Sequence, residues 1–253
     1  DYVSSLFDEL FTGLAGAVAN IGVGRLVILP GDAQLIFDYT QVDLARRGTV
    51  IVAHKAPPAI GTRHGVLAAN DEGKVIYALE KKTEIELAAK GVIDSEGNVN
   101  VSDGLTSSDL EGLVRLAEMA GLRLEDGVLI IDRGLHEEEP TNGPIEIYDH
   151  WLPAMSVGTV KEEFVGEAKS EKEKNMRHRV WEMLHNDDMP LYLSVSHPSI
   201  FMNFGTTREF HEHNTKPTIP SLVYGFDSWL NSYIGAGIRI PWAKVINSLL
   251  SGD

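Results

Sequence analysis

No cysteine occurs among the 253 residues, which removes disulfides, thiol nucleophiles and Cys-ligated zinc together and fits a reducing compartment. Positive charge is also short: 22 Lys and Arg stand against 37 Asp and Glu, for a net charge of -15. A surface so charged repels a nucleic-acid backbone. No apolar run nears the roughly 18 residues of a membrane span, and the opening DYVSSLFDEL has neither the basic head nor the apolar centre of a signal peptide. The expectation is a cytoplasmic protein with no nucleic-acid or membrane partner. Apolar residues, by contrast, are plentiful: at 43% hydrophobic and 8% aromatic, the chain can bury a substantial core.

Periodicity gives the elements. Leu6, Phe7, Leu10, Leu14, Ala17, Val18 and Ile21 recur at steps of three and four between a capping Ser and the Gly22 and Gly24 stop, predicting an amphipathic helix. RLVIL, residues 25–29, follows as a continuous apolar run of the kind buried on both faces in a parallel sheet. Asp32 is then expected at that strand's carboxyl end, the edge where open α/β sheets bind ligands. TVIVAH at 49–54 reads as a second buried strand. GVLAA and KVIYALEK flank Asn70-Asp71-Glu72-Gly73 as a hairpin, delivering Glu80, Lys81 and Lys82 to its far end. Strand alternation points Lys82 away from the face that Lys81 uses.

Further on, residues 107–120 carry a capping Ser, helical spacing and the Gly121 stop, predicting a helix. Strands are expected at 128–132, 191–195 and 200–204, and the charge-dense 162–175 reads as a solvated helix face or an excursion. LNSYIGAG at 230–237 and INSLLSGD at 246–253 repeat sixteen residues apart, as coils of a parallel β-helix do. The chain is therefore read as an α/β domain with a mostly parallel, helix-flanked sheet over 1–221, then the start of a β-helix over 222–253.

Four features could carry chemistry: Asp32, His64-Gly65, Lys81 and Gly205-Thr206. An acid at a sheet edge suits Mg²⁺, which takes a few carboxylate oxygens plus phosphates. A Gly admits close backbone approach, and a Lys holds phosphate as a point charge. Each also has a plain reading: Pro30-Gly31-Asp32 is an ordinary turn sequence and His64 could be a packed or turn histidine. His211-Glu212-His213 is spaced for zinc, but such a cluster after a strand is more often solvated polar sequence. Within Ile147-Tyr148-Asp149-His150-Trp151, Trp151 reads as core, and Asp149 could reach a sugar if a helix there opens into the crevice.

Taken in order, these features resemble the sugar-1-phosphate nucleotidyltransferases, and within them the L-fucose-1-phosphate guanylyltransferases, or GDP-fucose pyrophosphorylases. Pro30-Gly31-Asp32 stands where that family has Ser-Gly-Asp, and Arg63-His64-Gly65-Val66-Leu67 where it has His-His-Gly-Val-Phe. Glu80-Lys81-Lys82-Thr83 stands for Gln-Lys-Pro-Ser, and FMNFGTTREF at 201–210 for a phrase ending in Gly-Thr-Ser or Gly-Thr-Thr. The motifs that carry the resemblance do not extend to residues 156–190. The resemblance implies a Rossmann-like nucleotidyltransferase sheet followed by a left-handed parallel β-helix. It implies that Asp32 and Asn203 bind Mg²⁺, Asn203 standing where relatives have an Asp, and that Lys81 holds the sugar phosphate. His64, Gly65, Glu80, Asp149, Gly205 and Thr206 would line the substrate site. The implied reaction transfers a nucleotidyl group, GMP from GTP, to a sugar-1-phosphate, L-fucose-1-phosphate, releasing pyrophosphate. A fused or associated sugar kinase domain is a compatible partner. The family's glycine-rich nucleotide loop belongs ahead of the opening helix and has no match in DYVSSLFDEL, so the chain reads as a fragment. A sugar-phosphate-binding, regulatory or assembly domain without catalysis is the alternative.

Overall fold

The computed structural model describes residues 25–37, 39–109, 111–112, 122–125, 128–131, 146–185, 190–196 and 199–209, with the dipeptides 229–230, 233–234, 245–246 and 249–250. The expected helix at 5–21 and the His211-Glu212-His213 cluster lie outside these residues. By its contacts the chain divides into two units, 1–29 with 38–198 and 30–37 with 199–253.

The first unit is built on β3 (Thr49–Ala56), whose apolar, β-branched run is buried throughout its first five residues, as a central strand requires. It pairs in parallel with β9 (Leu191–Ser196) and antiparallel with the eleven-residue β6 (Val99–Asp109). The hairpin of β4 (Gly65–Ala69) and β5 (Val75–Glu80) joins the other side of β6, giving the order β5-β4-β6-β3-β9, while β1 (Arg25–Ile28) also pairs with β6. The hairpin turns where expected: Asn70 Oδ1 accepts the N–H groups of Glu72 and Lys74, and Gly73 takes φ +79°.

Three expectations are corrected here. The sheet is mixed, with β3–β9 its one parallel pair among the described residues, because hairpins return the chain directly and antiparallel. β1 is an antiparallel edge strand, and Val27 and the adjoining Leu29 are 45% and 62% exposed. A four- or five-residue apolar run cannot by itself distinguish an edge from a centre. Ser107 and Ser108, expected to open a helix, are buried in the end of β6, where Ser108 Oγ bonds Thr49 Oγ1 at 2.9 Å and Ser107 Oγ accepts from Arg25 Nε at 3.0 Å. The residues 113–120 lie outside the described set.

Val66 and Leu67 are consecutive in β4, so they face opposite sides of the sheet, and each belongs to its own core cluster. Leu67, Ile51, Ala78 and Leu191 pack with Trp151, Leu152, Phe164, Val180 and Leu184. Val66, Val99 and Val101 pack with Leu87 and Val92. The first cluster draws on a single π-helical turn, Ile147–Trp151, and on α3 (Leu152–Met155), α4 (Lys161–Gly166) and α5 (Glu171–Leu184), numbered after α1 (Pro58–Gly61) and α2 (Glu84–Ala89). Trp151 is core as expected, at 1% exposure. The charge-dense stretch is a solvated helix face whose apolar members Phe164 and Val165 turn inward, as does Met176 just after it. A separate antiparallel pair joins β7 (Leu122–Glu125) to β8 (Val128–Ile131), so the strand expected at 128–132 forms.

In the second unit β2 (Ala33–Phe37) runs antiparallel to β10 (Ser199–Asn203). Asp32 is thereby relocated: β1 ends at Ile28, a turn through Gly31 and Asp32 follows, and the acid opens β2 in an exposed position. Pro30-Gly31 acts as the plain turn sequence it resembles. Near the end, β11 (Trp229–Leu230) pairs in parallel with β13 (Val245–Ile246), and β12 (Tyr233–Ile234) with β14 (Leu249–Leu250). The register is sixteen residues, the period of the repeat, though two-residue ladders do not amount to a β-helix.

Candidate active site

The residues singled out by sequence gather into two groups, one in each unit. In the first unit the β4–β5 register sets Gly65 opposite Glu80, and the Lys81 N–H donates to His64 O at 3.3 Å. His64, Gly65, Glu80 and Lys81 are thus neighbours because the hairpin makes them so. Asp149 arrives on the π-helical turn, beside Tyr148.

Gly65 is needed for a reason the sequence does not state. A Cβ there would lie 2.7 and 2.9 Å from Tyr148 Cδ1 and Cε1 and 3.3 Å from Glu80 Oε2. Tyr148 rests against the bare glycine and its hydroxyl meets Ser102 Oγ at 3.2 Å. The ring is a wall of the site, a role hidden in the sequence because the contact joins residues far apart in the chain.

Glu80 and Lys81 form the charged centre. Lys81 Nζ lies 3.0 Å from Glu80 Oε1, while Glu80 Oε2 is buried without a hydrogen-bond partner. Burial pushes the Glu80 carboxyl above its ordinary range against the pull of Lys81, and the nearby negative Asp149 and Glu146 push the same way. Lys81 is held firmly protonated, chiefly by its bond to Glu80. Such a pair offers a cation to a phosphate and an acceptor oxygen to a hydroxyl.

Lys81 has φ +47°, the left-handed region, so strand alternation stops at Glu80. Lys82 and Lys81 differ in their partners, Glu167 and Glu80. Lys82 lines, with Glu80, Tyr77, Tyr148, Asp149 and Thr159, a cleft of about 590 Å³, and its ammonium reaches Glu167 at 3.2 Å.

In the second unit the Phe204 N–H donates to Asp32 O at 2.7 Å. A Cβ on Gly205 would lie 3.4 Å from Asn203 Oδ1 and 3.5 Å from Asp32 Oδ2. A side-chain oxygen from the turn before β2 and one from the end of β10 therefore converge on the glycine, and Asn203 Oδ1 also accepts the Gly205 N–H at 3.2 Å. One carboxylate with one amide oxygen fits a cation that keeps several waters, as Mg²⁺ does. No cluster of three His, Asp or Glu suited to a metal occurs among the described residues. Thr206 has a local duty: its Oγ1 accepts the Glu209 N–H at 3.2 Å, and Glu209 Oε2 accepts the Thr206 N–H at 3.0 Å, which starts a helical turn.

A buried polar pair joins β3 to β6 with no motif to announce it in the sequence. His54 Nδ1 bonds Asp103 Oδ1, and Asp103 is fully buried with Oδ2 unpartnered. Gly104, at φ +73°, follows it in β6, where the β3–β6 register shifts. A glycine inside a strand run was the available signal for that bulge.

No curated protein matches the chain. Among solved structures, it is similar to HddC from Yersinia pseudotuberculosis at 12% identity and a TM-score of 0.37, and to the same protein complexed with GMP-PN at 12% identity and a TM-score of 0.36. Each match covers 78% of this chain and 59% of the other, so the chain spans less than two thirds of those proteins. The sequence model of the fucose pyrophosphorylase domain matches residues 2–253, and the chain belongs to that family.

Proposed function

We propose that this chain forms the sugar-phosphate and metal-binding part of a sugar-1-phosphate nucleotidyltransferase, acting with L-fucose-1-phosphate and GTP to give GDP-fucose and pyrophosphate. The observation that carries the reading is the Glu80–Lys81 pair set beside Gly65 and walled by Tyr148, in a chain of the fucose pyrophosphorylase family. An oxygen of the sugar phosphate attacks the α-phosphorus of GTP, the new P–O bond forms in line, and the bond to pyrophosphate breaks. No covalent protein intermediate is needed. What the reaction needs is two anions held together, and fixed cations supply that.

Lys81 holds the sugar phosphate, leaving Glu80 Oε1 to do so. Glu80, with Asp149, accepts hydroxyl groups of the sugar, and Gly65 keeps the adjoining floor flat. Asp32 and Asn203 would hold Mg²⁺, which when bound supplies charge neutralisation between the phosphates. The sixteen-residue ladder supports reading 222–253 as the start of a β-helix domain, following a nucleotidyltransferase domain over 1–221.

The test uses the full-length protein, pyrophosphate release and defined sugar phosphate. Lys81→Ala should raise KM for L-fucose-1-phosphate between about 10- and 150-fold, the loss of a charged hydrogen bond of roughly 1.5–3 kcal/mol. Lys74→Ala, on the hairpin turn and paired with Glu72, should leave it unchanged. Asp32→Asn should fold and lose nearly all transfer at any practical Mg²⁺ concentration. An unchanged KM for L-fucose-1-phosphate in Lys81→Ala, together with parent-like transfer in Asp32→Asn, would overturn the reading.

A further inference from the structure

We propose that His150 is a positioning residue: its neutral imidazole latches the turn that carries Tyr148 and Asp149, and protonation opens that turn and weakens sugar-phosphate binding. This rests on the sugar-phosphate reading of the site. His150 is buried at 5% exposure, and its Nδ1 accepts the Glu146 N–H at 2.8 Å. The His150 and Trp151 N–H groups in turn donate to Glu146 O at 3.0 and 3.3 Å. Both backbone polar groups of Glu146 are thus tied to the far end of the five-residue turn that carries Tyr148, whose ring rests on Gly65.

Accepting at Nδ1 requires a lone pair there, so the ring proton sits on Nε2. Nε2 is buried without a hydrogen-bond partner, 3.7 Å from Glu173 Oε1. The charges around the ring come from every side. Glu146 and Asp149 lie on its own segment, and Glu173 and the 3%-exposed Arg177 on α5, with Glu167 facing Arg177 at 3.8 Å. Glu173 is already engaged, accepting from Arg177 Nε at 3.0 Å and from the Lys169 N–H at 2.8 Å. Burial first, then Arg177, hold the imidazole below its ordinary range. A second proton would place an N–H at Nδ1 against the Glu146 N–H, two donors with no acceptor between them. The sign follows: the latch stabilises fully above the ordinary histidine pKa near 6.5 and is lost as pH falls through the lower folded value.

The experiment compares full-length wild type with His150→Asn, whose Oδ1 reproduces the Nδ1 acceptor without titrating, and His150→Gln, whose amide reaches the Nε2 position instead. Hydrogen exchange at the Glu146 amide and calorimetric binding of L-fucose-1-phosphate are followed between about pH 7.5 and pH 5. Wild type should lose Glu146 protection and bind roughly tenfold more weakly toward the acid end. His150→Asn should hold both flat, and His150→Gln should show the acid behaviour at every pH. Protection in wild type that ignores pH, His150→Asn as unprotected as His150→Gln, or His150→Gln binding like wild type would each overturn the proposal. Should His150→Gln fail to fold, the wild-type pH series and His150→Asn decide alone. If wild type binds no L-fucose-1-phosphate at any pH, the functional reading fails, while the exchange data still judge the latch.

Discussion

At Lys81 a long charged side chain sits where glycine would be the easy choice, with φ +47° the one left-handed non-glycine backbone among the described residues. Left-handed backbone costs a residue bearing a Cβ on the order of 1–2 kcal/mol, and strain of this kind gathers at functional sites. The strain turns the side chain back over Glu80 instead of out along the strand. Lys81→Gly and Lys81→Ala remove the same charge but differ in that strain. Urea midpoints should place the Gly variant more stable by about 1 kcal/mol, and an Ala variant equally stable would mean the backbone relaxes without the lysine. Gly65 poses the opposite case, an atom that must be missing. Gly65→Ala should cost about 1–3 kcal/mol through the Tyr148 clash, and combining it with Tyr148→Ala should cost less than the two variants summed, because the ring it strikes is gone. Additive costs in urea unfolding would show that Gly65 is not held by that contact.

The element after the hairpin shows how much a local signal can do. α2 has six residues, too few to stand on propensity, and is set by a capping box: Thr83 Oγ1 accepts the Glu86 N–H at 3.3 Å and Glu86 Oε2 accepts the Thr83 N–H at 2.7 Å. It plants Leu87 in the core immediately beyond Lys81 and Lys82. Thr83→Ala should destabilise by about 1 kcal/mol in urea, while Thr83→Ser, which keeps the oxygen, should not; equal losses would put the methyl group in charge. The Glu86 carboxyl is held below its ordinary range by the Thr83 hydroxyl and then the Thr83 N–H. That support is present above the ordinary glutamate pKa and fades as pH falls through the folded value. The contrast with strand direction is physical. The β4–β5 hairpin was legible because its turn chemistry lies within Asn70–Gly73, and the 191–196 and 199–203 strands because their runs are long enough to read. Whether RLVIL would lie at a centre or an edge, and whether β6 would swallow Ser107 and Ser108, depends on partners dozens of residues away. α2 itself escapes a reading by apolar period, since six residues hold no full period, although its Thr-x-x-Glu spacing stands in the sequence.

Across the whole molecule, the site's residue types were legible and their burial was not. The hairpin makes His64, Gly65, Glu80 and Lys81 neighbours, and Asp149 lines a cleft with Glu80. Arg177, however, stands two residues past the charge-rich run that reads as solvated and is buried against Phe164 O and Glu173, because a charge goes inside only when tertiary partners receive it. The same long view fixes the response to salt. Described ion pairs such as Lys82–Glu167 at 3.2 Å and Lys90–Glu163 at 3.3 Å are exposed on at least one side, and such pairs contribute about 0–1 kcal/mol and weaken with salt. Opposing them is an excess of fifteen negative charges, 37 acids less 22 bases, that cannot be paired internally and repel one another in the folded state. Going from roughly 10 to 150 mM salt shortens the screening length from about 30 to 8 Å. That range removes repulsion between distant carboxylates while contacts near 3 Å lose less. Repulsion should therefore dominate, and Tm should rise by roughly 1–3 °C over that interval. Sodium chloride is the salt to use, because sulfate stabilises proteins by exclusion whatever their charge. A falling Tm would mean that the close pairs, not the net charge, set the electrostatic balance of the fold.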